Sequence, residues 1–233
     1  MGGEQMVFSE NVPEFCVVDL HHQVLRPWCA LRRTLDFAPR VLSFDFHTDT
    51  LSGTSRGLLP PQNGDYADLQ KVEFSIRELH HDEHFDWALR SGTVSRVWIC
   101  SIAPQNGPCA HPGMQVRSPV FPGGDVNAVF QDPDQCRPIL ENLFSGPVLE
   151  RMFPDFFAGD TPFILDLDCD FFLTEKMLSL VREPVFANLV HSALLITLSR
   201  EEDWVRLLRL PGEKLTADFI VRSLQEPFRH VPA

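Results

Sequence analysis

The chain has no CxxC pair and no apolar run of the roughly 18 residues needed to cross a bilayer. Its start, MGGEQMVFSENVPEF, lacks a basic segment followed by an apolar one. These absences argue against a structural zinc or disulfide scaffold, a membrane span and an export signal, so the expectation is a cytoplasmic protein with no membrane partner. Six cysteines (Cys16, Cys29, Cys100, Cys109, Cys136, Cys169) are scattered, several inside apolar runs where a free thiol acts as a small hydrophobe. Internal repeats and low-complexity tracts are missing as well. Basic residues are outnumbered, 20 Lys and Arg against 32 Asp and Glu, for a formal charge of −12. A phosphate backbone would be repelled, which argues against nucleic acid as a general partner and favours cationic substrates. A single Tyr stands against 19 Phe, a composition suited to filling a core.

What is present suits one α/β domain over residues 1–233, with 44% hydrophobic residues to build its interior. Strand candidates are Phe15 to Leu20, Val41 to Phe46, Val72 to Ile76, Val97 to Ile102, Phe163 to Leu167 and Ala193 to Leu198. Helical candidates are Val24 to Leu35, His84 to Arg90, Gln135 to Phe144, Thr174 to Val181, Asp203 to Leu210 and Ala217 to Leu224, with ends punctuated at Gly92, Gly146, Pro184, Pro211 and Pro227. Alternation of this kind predicts a mostly parallel sheet covered on both faces. Two Pro- and Gly-rich stretches, Gly57 to Asp68 and Ala103 to Phe130, read as long loops.

Two acidic segments close strand-like runs: Asp45-Phe-His47-Thr-Asp49 after Val41-Leu-Ser-Phe44, and Asp166-Leu-Asp168-Cys-Asp170 after Phe163-Ile-Leu165. On a strand, residues two apart share a face, so each set of acidic positions is expected to project together. Crowded carboxylates repel one another and each costs roughly several kcal/mol to desolvate unpaired, yet neither segment holds a Lys or Arg. Divalent metal ions answer that demand. A third strand end supplies another donor, because Phe15-Cys-Val-Val-Asp19-Leu20 runs into His21-His22. In open parallel sheets ligands bind beyond the carboxyl ends of strands, where all these residues lie. His21 or its neighbour His22, with Asp45, His47, Asp49, Asp166 and Asp168, suits two ions sharing carboxylates, and oxygen-rich donors with two imidazoles favour manganese over magnesium, iron or zinc.

Spacing separates three enzyme classes that use such signals. Calcineurin-like phosphatases carry DxH, GDxxD and GNH; the chain has Asp45-Phe-His47 and Gly64-Asp65-Tyr-Ala-Asp68 but no GNH. Haloacid dehalogenase-like phosphatases place DxDx before Thr or Val after an early strand, whereas Asp166-Leu-Asp168-Cys precedes Asp170 late in the chain. An early His, then DxHxD, then a late strand ending DxD resembles the arginase (ureohydrolase) superfamily. VVDLHHQVLRPW, LSFDFHTDT, HHDEHFDWAL and FILDLDCDFF together are similar to a branch that includes peptide arginases, which convert arginine to ornithine within ribosomally made peptides.

The resemblance implies a three-layer αβα sandwich and two Mn2+ ions. One ion would be held by His21, Asp45, Asp49 and Asp166, the other by Asp45, His47, Asp166 and Asp168, with Asp45 and Asp166 bridging. It further implies hydrolysis by a hydroxide generated between the metals, a histidine to protonate the leaving amine, drawn from His80, His81 and His84, and a carboxylate for the guanidinium, Glu201 or Glu202. The Asn-x-His-Gly stretch that follows DxHxD in free-amino-acid arginases has no counterpart here, which points to an Arg-containing precursor peptide as substrate. Several residues carry ordinary readings too. Asp170 suits a hydrogen-bonding or helix-capping role, Asp82 an N-cap, and Glu201-Glu202 the acidic first turn of a helix. Alternatives to the peptide arginase are another amidinohydrolase or deacetylase-like hydrolase of the same fold, and a non-catalytic metal-stabilised module that binds basic peptides.

Overall fold

The computed structural model describes residues 14–105, 107–179 and 183–228. Its strands are β1 (Glu14–Val18), β2 (Arg40–Asp45), β3 (Arg96–Ser101), β4 (Met114–Arg117), β5 (Phe163–Asp168) and β6 (Leu195–Ser199). All pair in parallel, in the order β1-β6-β5-β2-β3-β4. Parallel strands need crossovers, and helices supply them except between β3 and β4, where the described residues hold none. Helices α1 (Leu25–Arg32), α2 (Leu69–Glu78) and α3 (His84–Ser91) precede β3; α4 (Ala128–Gln131), α5 (Pro133–Leu140), α6 (Gly146–Met152) and α7 (Pro154–Phe157) lie between β4 and β5. After β5 come α8 (Glu175–Ser179), α9 (Pro184–Ser192), α10 (Glu202–Leu208) and α11 (Ala217–Gln225).

Alternation along each strand divides the apolar residues between two cores. Val41, Val97, Ile99, Ile164 and Leu195 pack under α1, α2 and α3 through Trp28, Val72, Ile76 and Phe85. On the opposite face Leu42, Phe44, Trp98, Leu165, Leu167 and Leu198 pack under the later helices through Leu140, Leu149, Phe186, Val205 and Ile220. The result is a three-layer α/β sandwich around an all-parallel sheet.

Several local readings change. Val72 to Ile76 is helix α2, not a strand: Asp68 caps it by accepting hydrogen bonds from the backbone amides of Gln70 and Lys71, and Val72 and Ile76, four apart, share its buried face while Phe74 is 53% exposed. Strand β4 falls inside the stretch read as loop. Gly146 and Pro184 begin helices instead of ending them, as suits Pro in a first turn. Helix α8 ends at Ser179 within the described residues, and Val181 of the expected helix lies outside them. No helix among the described residues is long and apolar enough to cross a membrane.

Candidate metal centre

The carboxyl ends of β1, β2, β5 and β6 converge on one acidic cluster. Strand β2 stops at Asp45, so only this first acidic residue projects from the pleat; His47 and Asp49 arrive through the turn that follows, with Asp49 in the left-handed region at φ 45°. Strand β5 carries Asp166 and Asp168 on one face with Ile164, and a 3-10 turn over Cys169–Phe171 then delivers Asp170. His21 opens the 3-10 turn after β1. Asp45, Asp49, Asp166, Asp168, Asp170 and His21 are all at most 4% exposed.

Asp166 sits deepest. Its oxygens accept hydrogen bonds from Ser43 Oγ (2.8 Å) and Thr197 Oγ1 (2.6 Å), its in-register neighbours on β2 and β6, and Oδ2 lies 2.9 Å from His21 Nε2. The other imidazole nitrogen, His21 Nδ1, faces three carboxylates: Asp49 Oδ2 at 2.9 Å, and Asp45 Oδ2 and Asp168 Oδ2 at 3.4 Å each. A second group adjoins the first, with His47 Nδ1 3.0 Å from Asp170 Oδ2 and 3.7 Å from Asp45 Oδ1. Asp45, His47 and Asp170 therefore gather around one point, and His21, Asp45 and Asp49 around another. Asp168 touches both, through His21 and through its Oδ1, which accepts the Asp170 amide (3.1 Å).

Electrostatics expose the cost of this crowding. Burial, then Asp49, pushes the Asp45 carboxyl up to about 6; burial, then Asp45, does the same to Asp170. Burial and then Asp170 raise Asp168 well above the carboxylate range. Burial opposes charge on His21 and His47, but Asp166 raises the first well above its ordinary value, and Asp170 lifts the second to about 9. Protons are doing the work of cations. Yet His21 Nδ1, Asp45 Oδ2, Asp49 Oδ1 and Asp170 Oδ2 are buried without an aligned hydrogen bond. Orphaned donors of this type, converging at ligand distances, fit divalent metal ions.

Glu201 borders the cluster from the loop between β6 and α10. Its backbone is left-handed (φ 35°), its Oε1 accepts the His21 amide (3.0 Å), and its Oε2 lies 3.5 Å from His81 Nδ1. Burial would raise its pKa, but His81 and the His21 amide outweigh it and hold Glu201 below its ordinary value. His81 is raised in turn, chiefly by Glu201. Both line a cavity of about 940 Å3 that His22 and Trp204 also wall.

Other expected site residues lie close by but are engaged differently. Glu202 lines the same cavity, but its carboxylate pairs with Arg206 (2.6 Å) and accepts the amide of Ala217 (2.6 Å), so it ties α10 to α11. His84 is completely buried, its Nδ1 donating to the His81 carbonyl (2.7 Å) and its ring against His21 at 4.3 Å; burial, then His21, drives its pKa well below the ordinary value. That places it behind the cluster, away from the cavity. His80 is exposed. Ser43 and Thr197 lie outside the acidic motifs, and their visible signal in the sequence is a polar residue inside the apolar runs RVLSFD and LITLS.

No family model matches the chain, and no curated protein matches it. Among solved structures it is similar to a hypothetical agmatinase from Burkholderia thailandensis, at 14% identity and a TM-score of 0.48, over 91% of this chain. The chain covers 56% of that protein, little more than half its length.

Proposed function

We propose that the chain is a dinuclear metal hydrolase of the arginase superfamily that converts arginine side chains of a precursor peptide to ornithine and urea. The observation that carries the reading is the pair of adjoining donor groups, His21–Asp45–Asp49 and Asp45–His47–Asp170, opening beside Glu201. His21 Nδ1, Asp45, Asp49 and Asp168 would hold one ion, and Asp45, His47, Asp168 and Asp170 the other. This moves the bridging role from Asp166 to Asp168, because Asp166 is already committed to Ser43, Thr197 and His21 Nε2. Oxygen-rich sets with one imidazole each favour Mn2+.

When bound, such ions supply Lewis acidity and a water acidified toward neutrality. The chain's own residues do the rest. Glu201 offers its carboxylate to the guanidinium, fixing the carbon that water attacks. As the bond from that carbon to Nε breaks, the leaving amine needs a proton, and His81, beside Glu201 on the cavity wall, would give it. Asp166 keeps the His21 ring oriented from behind. A cavity of about 940 Å3 exceeds what one guanidinoalkyl chain fills, and the guanidiniums on its rim are already paired, Arg200 with Asp218 and Arg206 with Glu202, at 2.6 Å each. Neither is a spare clamp for a free α-carboxylate, which favours a peptide.

Mn2+-loaded protein is expected to release urea from Arg-containing peptides and to lower their mass by about 42 Da per converted Arg. Release from free arginine or agmatine but from no peptide would move the substrate to a small guanidine. No release from any of them would defeat the reading.

A further inference from the structure

The wall of the cavity holds an aromatic residue to which no role has been given. Trp204 lies in the first turn of α10, its amide donating to the Glu201 carbonyl at 2.8 Å. Its indole is parallel to the His81 imidazole, 6° between planes and 6.3 Å between centroids, and meets the His47 ring edge-on at 4.9 Å. The side chain is half-buried and lines the cavity beside Glu201. One residue thus touches a candidate ligand, the candidate proton donor and the open space in front of the candidate guanidinium partner.

We infer that Trp204 is a specificity-determining residue that selects planar cations by stacking its indole on the substrate guanidinium while Glu201 pairs with the guanidinium edge. This deepens the proposed function and rests on it. An indole is the best neutral surface for a delocalised cation, and a guanidinium, flat and weakly hydrated, stacks where a compact ammonium keeps its water. A carboxylate alone attracts both kinds of cation; the ring is what separates them. The parallel His81 ring sets the same plane from its own side, so a flat group aligned on one ring is aligned on the other.

The experiment compares two cations of similar length, butylguanidinium and pentylammonium, by calorimetric titration of the Mn2+-loaded full chain. The wild type is expected to prefer the guanidinium by about tenfold. Trp204→Phe should keep most of that preference, whereas Trp204→Leu should abolish it with Mn2+ content unchanged. Wild-type protein without a preference, or a preference that survives Trp204→Leu, overturns the inference. A readout independent of the leucine variant's folding is the indole N–H resonance of Trp204, identified by its loss in Trp204→Phe. Followed in protein loaded with diamagnetic Mg2+, it should shift with butylguanidinium, and no shift at saturation also overturns the inference. Urea release from Arg peptides is scored separately. A Trp204-dependent preference without urea defeats the hydrolase reading alone; urea release with a Trp204-independent preference defeats only the stacking role.

Discussion

Asp166 Oδ2 meets His21 Nε2 at 2.9 Å, and that contact turns the opposite nitrogen of the ring toward Asp45, Asp49 and Asp168. A carboxylate behind an imidazole fixes which nitrogen carries the proton and which presents a lone pair. In the proposed centre Asp166 would thereby be a positioning residue and Asp168 a shared donor.

Substitution separates those roles. Asp166→Asn retains an acceptor for His21, so Mn2+ affinity should fall by roughly 10- to 100-fold with two ions still bound at saturation. Asp168→Asn and Asp45→Asn should lower the bound stoichiometry itself. Metal analysis after titration checks this; full occupancy in Asp168→Asn with loss in Asp166→Asn would restore Asp166 as the bridge.

Metal-free protein should lose stability as pH rises. Asp45 and Asp170 have folded pKa values raised to about 6, so the stability they contribute is complete below about pH 4 and lost as pH climbs through 6. His47, raised to about 9, contributes stability below its ordinary 6.5 that is lost as pH climbs through 9. Buried His84, held neutral, acts in the opposite sense below its ordinary 6.5, so thermal melting of stripped protein should show a falling Tm from about pH 7 to pH 9, and Mn2+ should reverse the trend, because the ions bind the deprotonated donors. A Tm that rises with pH over that range in stripped protein would contradict the crowding described.

Glu201→Gln keeps an acceptor for the His21 amide but removes the charge facing the substrate, so KM for an Arg peptide should rise about tenfold or more. His81→Gln should instead lower kcat by roughly 100-fold with a smaller change in KM. Steady-state urea assays distinguish the two patterns, and interchanged effects would reverse the roles.

Glu202→Ala should leave KM nearly unchanged and cost about 1 kcal/mol of stability, since its carboxylate accepts the Ala217 amide at the start of α11. Denaturant unfolding beside the urea assay checks both halves. A large rise in KM would give Glu202, which lines the cavity, a direct part in holding the substrate.

Much of this architecture is legible in the residues, and the exceptions have physical causes. β2, β3, β5 and β6 are apolar runs long enough to declare themselves, and all-parallel pairing follows from the helices between them. Val72-Glu-Phe-Ser-Ile76 satisfies both periods, because Val72, Phe74 and Ile76 alternate as in a strand while Val72 and Ile76 are also four apart. Asp68 at the N-cap decides the matter, leaving Phe74 outside. β4 is only Met-Gln-Val-Arg, four residues at the sheet edge. Within Asp166-Leu-Asp168-Cys-Asp170 the carboxylates are evenly spaced, and the structure gathers all three, Asp166 behind His21 and Asp168 and Asp170 beside His21 Nδ1 and His47. The hydroxyls that claim Asp166 come from Ser43 and Thr197, 123 and 31 residues away. Such long-range partners leave no local mark.

The row Ser43–Asp166–Thr197 runs across three neighbouring strands in register. Were β5 to slip by one residue, its side chains would exchange faces, driving Asp166 and Asp168 among Phe44, Phe144 and Leu198 and exposing Leu165 and Leu167 to the acidic side. Each stranded carboxylate would cost roughly several kcal/mol. The same carboxylates that form the acidic cluster therefore dictate which alignment of the central strands the folding chain accepts.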